Sequence, residues 1–80
     1  MNKTRAKALK AIMGELEELQ SRLEPLRDAE RDAYEEMSEK KKESDAGEAA
    51  SEAAENLEAA CEALDDVIEK VEAAKGEDDE

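Results

Sequence analysis

Large apolar residues fall at Leu9, Ile12, Leu16, Leu19, Leu23 and Leu26, separated by steps of three and four. That spacing places one side chain per turn on a single helical stripe, and a lone helix would leave the stripe in water. The rhythm continues, weaker, through Glu30, Ala33 and Met37. A second run with the same period occupies Ala50, Ala53, Leu57, Ala60, Leu64, Val67, Val71 and Ala74. Between the two runs, Ser38 to Ser44 carries no apolar position at all. The pattern predicts an all-α chain: a first helix over 3–38, a turn over 39–45, a second helix over 46–75 and a frayed acidic tail over 76–80.

The ends of these helices carry recognisable signals. Asn2 can cap the first helix, although Lys3, Arg5 and Lys7 put positive charge at the end of the dipole that prefers negative charge. Lys40 to Lys42 suit a helix C-terminus. Asp45 with Glu48 three residues later forms a capping-box-like start to the second helix, where Gly47 is a mild cost, and Lys75-Gly76 supplies its stop. Pro25 has no N–H to give the Ser21 carbonyl, a cost of roughly 3 kcal/mol in a helix interior. Because the apolar phase survives from Leu23 to Leu26, the expectation is a kink rather than a break.

The two runs mirror each other about a point between Lys41 and Lys42. Residue 9 falls opposite 74, 12 opposite 71, 16 opposite 67, 19 opposite 64, 23 opposite 60 and 26 opposite 57. Such mirroring predicts an antiparallel, coiled-coil-like helical hairpin about 42 Å long at 1.5 Å per residue. Its expected seam is Leu9, Ile12, Leu16, Leu19, Leu23 and Leu26 against Leu57, Leu64, Val67 and Val71. The open end is expected to be firm and the turn end, where Ala33 meets Ala50, thin. The basic residues 3 to 10 would lie beside Glu69, Glu72 and the acidic tail, which offsets the unfavourable dipole.

More apolar surface exists than one seam uses. Ala54, Cys61 and Ile68 form a second line at intervals of seven beside the first, with Met13 and Tyr34 flanking the seam on the other helix. A wider face calls for further helices, and these five residues are the expected dimer or partner face. A homodimeric four-helix bundle is the first expectation, with a heterologous partner helix and an unpartnered fringe as alternatives.

Composition narrows the chemistry. Eighty residues make one small domain, 46% of them charged, with Tyr34 the single aromatic, as in long helices and coiled coils. Twelve Lys and Arg against 25 Asp and Glu leave a formal charge of −13, which disfavours nucleic acid or an anionic membrane as a partner and suits a basic protein. With one cysteine, no signal-peptide pattern and no apolar run near 18 residues, the expected setting is cytoplasmic. Cys61 reads as a small buried apolar residue: no histidine is present to activate it or to join it on zinc. The acidic tail lacks the twelve-residue calcium-loop pattern. No catalytic residue, metal ligand or cofactor site is expected, and two helices enclose no pocket for an enzyme.

Met1-Asn2-Lys3-Thr4-Arg5, the block Leu23 to Met37, Glu43-Ser44-Asp45-Ala46-Gly47-Glu48 and Ala54-Glu55-Asn56-Leu57-Glu58-Ala59-Ala60 resemble short acidic helical-hairpin proteins of prophages and mobile elements in gut-type Firmicutes. Pro25 departs from the uninterrupted first helix of that group. The resemblance implies a genetic setting and no functional residues. Three functions are open: a non-enzymatic interaction or adaptor module of a phage or mobile element; an acidic, nucleic-acid-mimicking inhibitor of a basic host defence protein; and, by analogy of fold, a Rop-like RNA-binding hairpin dimer using Lys3, Arg5, Lys7 and Lys10.

Overall fold

The computed structural model describes residues 2–76. Within them the chain forms α1 (Lys3–Glu35), a short α2 (Glu39–Lys42) and α3 (Asp45–Lys75). The two long helices pack against each other as an antiparallel hairpin, giving a rod of 59 × 15 × 14 Å. The fold is all-α.

Asn2 caps α1 by accepting a hydrogen bond from the Arg5 backbone N–H at 2.8 Å. The first turn has no acidic residue and the last turn no basic one, so α1 carries its charge against its own dipole. The helix runs unbroken across Pro25. It ends three residues earlier than the pattern predicted, because Ser38 takes an extended conformation and caps a new turn through the Lys41 N–H. The segment expected to be a plain turn over 39–45 therefore contains a four-residue helix.

Ser44, not Asp45, is the cap of α3. Its hydroxyl accepts from the Gly47 N–H at 3.3 Å and donates to the Lys41 carbonyl at 2.6 Å, tying both sides of the junction to one side chain. Gly47 is buried, and a Cβ there would collide with the carbonyl oxygens of Lys41 and Lys42. The glycine that sequence alone marks as a mild cost is the point where two backbones meet, a contact open only to a residue without a side chain. At the same end Lys42 lies over the Tyr34 ring, 5.2 Å from its centroid. At the far end α3 stops at Lys75, and Gly76 takes a positive φ of 74°. The rest of the acidic tail, 77–80, lies outside the described residues.

The seam differs from the expected one by a rotation. Along the two core lines the inward residues of α1 are Ala6, Leu9, Met13, Leu16, Gln20, Leu23, Arg27, Glu30 and Tyr34, followed by Met37; those of α3 are Gly47, Ala50, Ala54, Leu57, Cys61, Leu64, Ile68, Val71 and Lys75, with Ala53 and Ala60 of the expected seam also half-buried beside them. Both sets keep the heptad steps of three and four. Leu9, Leu16, Leu23, Leu57, Leu64 and Val71 lie in the seam as expected. Ile12, Leu19, Leu26 and Val67 do not: they are 44%, 46%, 58% and 42% exposed. Relative to expectation each helix is turned by roughly 50°, the angle between two neighbouring heptad lines. The cause lies in the junction. Once Gly47 is pinned inward against the α2 carbonyls, every residue at seven-residue steps from it, Ala54, Cys61, Ile68 and Lys75, faces inward too.

Candidate interaction surface

That rotation exchanges the roles of two groups of residues. Met13, Tyr34, Ala54, Cys61 and Ile68, expected on a dimer or partner face, are inside the hairpin or half-buried along its seam. Cys61 is the most enclosed hydrophobic residue among those described, at 4% exposure, and its thiol is free. The surface left over is instead carried by Ile12, Leu19 and Leu26 on α1 and Val67 on α3.

In heptad language these four residues share one flanking position. In an antiparallel pair the flanking lines that precede the seam on each helix meet on the same side. Ile12, Leu19, Leu26 and Ala33 therefore lie on one face of the rod together with Ala46, Ala53, Ala60, Val67 and Ala74. Two hydrogen bonds from Gln20 set the height: its Nε2 donates to the Asp65 carboxylate at 2.6 Å and to the Cys61 carbonyl at 3.4 Å. Leu19 and Val67 stand within a helical turn of each other along the axis. Leu19, Arg22, Leu23, Pro25 and Leu26 line a shallow depression in this face.

Charge is segregated around the rod. The next line outward on the apolar face carries Ala8, Glu15, Arg22 and Ala29 on α1, and Ala49, Asn56, Ala63 and Lys70 on α3. With Arg5 at its end, this side has three cations and one anion, Lys70 being paired with Asp66 at 3.3 Å, in a chain whose total is −13. The opposite side of α3 presents Glu48, Glu55, Glu62 and Glu69 in one line and Glu58, Asp65 and Glu72 in the next, all exposed. A molecule this acidic can approach another copy or a neutral helix only where its charge is balanced, and the exposed aliphatics lie on that balanced side.

The polar members of the seam escaped the apolar pattern because they are polar. Gln20 occupies a core-line position and uses its amide to bridge the helices. Arg27, one heptad on, donates from Nε to Asp28 at 3.0 Å, and Arg31 donates to the same carboxylate oxygen at 2.9 Å. The Asp28 hydrogen bond, reinforced by the nearby negative charge, raises the Arg27 guanidinium pKa further above its ordinary value. The seven-residue recurrence of Met13, Gln20, Arg27 and Tyr34 was the available signal, and it shows only when polar residues are admitted to the line.

Among the described residues no group of His, Cys, Asp and Glu side chains gathers as a metal site, and no buried side-chain polar atom lacks a hydrogen-bond partner. No described helix is long and apolar enough to cross a membrane. No protein-family model, curated protein or solved structure matches the chain. Fold and surface define it as an acidic, all-α helical hairpin with one uncovered apolar face.

Proposed function

We propose that the protein is a non-enzymatic interaction module whose apolar face, built on Ile12, Leu19, Leu26 and Val67, docks against another helical surface in the cytoplasm, in a phage or mobile-element setting. One observation carries this reading: four large aliphatic side chains stand 42% to 58% exposed on one face, while among the apolar side chains of the described residues only Cys61 is buried. An apolar patch gathered on one side of a small protein marks a surface that is covered in use. The resemblance to short mobile-element hairpins supports the setting, and the free thiol of Cys61 suits a reducing compartment.

The acidic ridge on the other side of α3 favours a second reading, in which the rod occupies the nucleic-acid cleft of a basic protein. Site-specific photocrosslinking in the native host separates the two. A photoreactive residue placed at Leu26 is expected to form discrete protein adducts, whereas the same group at Glu55 is expected to form none. Adducts from Glu55 alone would establish the acidic ridge as the working surface, and no adduct from Leu26 would overturn the first reading. Salt adds an independent check: affinity through the ridge falls steeply with ionic strength, and affinity through the apolar face does not.

A further inference from the structure

The structure also points to what covers the apolar face: we infer that it is a second copy of this chain, packed so that α1 lies antiparallel to α1 of its mate with a two-fold axis passing beside Leu19. This deepens the interaction reading above and depends on it.

Four features of the surface converge on this occupant. Leu19 is the midpoint of α1, which runs from Lys3 to Glu35, so an antiparallel mate centred there overlaps the whole helix. About that axis Ile12 falls opposite Leu26 of the mate and Leu19 opposite itself, which makes the apolar stripe complementary to its own copy.

The charges beside the stripe are self-complementary in the same way. Glu15 lies four residues before Leu19 and Arg22 three residues after it, both on the line next to the stripe. In the antiparallel arrangement Glu15 of each copy comes beside Arg22 of the other, giving two symmetric ion pairs at the rim. Neither residue has an ion-pair partner within its own chain among the described residues.

The third feature is the reversed charge of α1. Lys3, Arg5, Lys7 and Lys10 crowd its positive end, while at its negative end Asp28, Glu30, Asp32 and Glu35 outnumber Arg27 and Arg31, four acids to two bases. An antiparallel mate sets each basic first third against an acidic last third, so the arrangement that burdens one helix is compensated between two.

The last is extent. From Arg5 to Ala33 the face is roughly 42 Å long at 1.5 Å per residue, and it is as wide as the 15 Å rod. Its footprint of about 600 Å² in projection corresponds to an accessible area near the ~800 Å² per partner of a standard interface. Across the same axis, the alanines of α3 let its own copy approach closely.

Sedimentation equilibrium and charge exchange test the proposal together. The native chain is expected to sediment as a dimer of its 8.8 kDa chain at about 100 micromolar, with association strengthened by added salt because the mates share a net negative charge. Glu15→Arg and Arg22→Glu are each expected to weaken dimerisation about tenfold, and the double variant to restore it. Both positions are exposed, and unchanged far-UV circular dichroism of all three variants checks the fold. A native chain that remains at 8.8 kDa overturns the second-copy proposal, while adducts from Leu26 to a different protein would still uphold the interaction reading. A native dimer whose double variant is as weak as the singles overturns the antiparallel α1 geometry.

Discussion

The Gln20 side-chain amide donates to the Asp65 carboxylate at 2.6 Å, the shortest side-chain bond between the two long helices. The same amide reaches the Cys61 carbonyl at 3.4 Å. A polar residue on a coiled-coil core line gives up apolar packing but specifies register, since a shift of one heptad leaves it unpaired. Gln20→Ala is expected to lower the unfolding free energy by roughly 1 kcal/mol. Gln20→Leu is expected to raise the thermal midpoint while broadening the transition. Urea and thermal unfolding followed by circular dichroism check both, and a Gln20→Ala variant as stable as the native chain would contradict the bridging role.

Gly47 and Gly14 make an internal control. Both are glycines within a helix, but a Cβ at Gly47 meets the Lys41 and Lys42 carbonyl oxygens, whereas a Cβ at Gly14 has nothing within 4 Å. Gly47→Ala is expected to cost about 1–3 kcal/mol as the junction shifts to make room. Gly14→Ala is expected to add about 0.5–1 kcal/mol from helix propensity alone. Denaturant titration reads the two with opposite signs.

Pro25 is exposed in the middle of α1, and its ring denies the Ser21 carbonyl its helical partner. Pro25→Ala is expected to raise stability by up to about 3 kcal/mol, measured as a higher urea midpoint at unchanged slope. A loss of stability on this substitution would mean that the ring is required by the α1 geometry rather than tolerated.

Cys61 provides a probe of the seam that needs no mutation. At 4% exposure its thiol is expected to react with a soluble disulfide reagent at least ~100-fold more slowly than in denaturant, at a rate set by opening of the hairpin. Cys61→Ser is expected to destabilise by about 1–2 kcal/mol, because a hydroxyl replaces sulfur at a buried position of the seam. Labelling at the unfolded rate in native buffer would place the thiol outside the seam.

Sequence periodicity was enough to determine that this chain is two long helices folded back on each other. A period of three and four repeated twice, a polar break between the runs and a mirror relation about that break leave little else for an 80-residue, sheet-poor composition to form. Leu9, Leu16, Leu23, Leu57, Leu64 and Val71 could be placed in the seam because they belong to the line common to every candidate face. The rotation of each helix about its own axis was not legible in this way. On α1 the line of Ile12, Leu19 and Leu26 is more apolar than the line of Met13, Gln20, Arg27 and Tyr34, so apolar pattern alone selects the first. Only the tertiary structure decided otherwise, through contacts that a pattern cannot contain. Ser44 ties α2 to α3, Gly47 fits where no side chain can, and Gln20 reaches across to Asp65. A helix binds along a stripe whose identity depends on how its ends are joined. In this protein the junction turned the better apolar stripe outward, where it is free to meet another molecule.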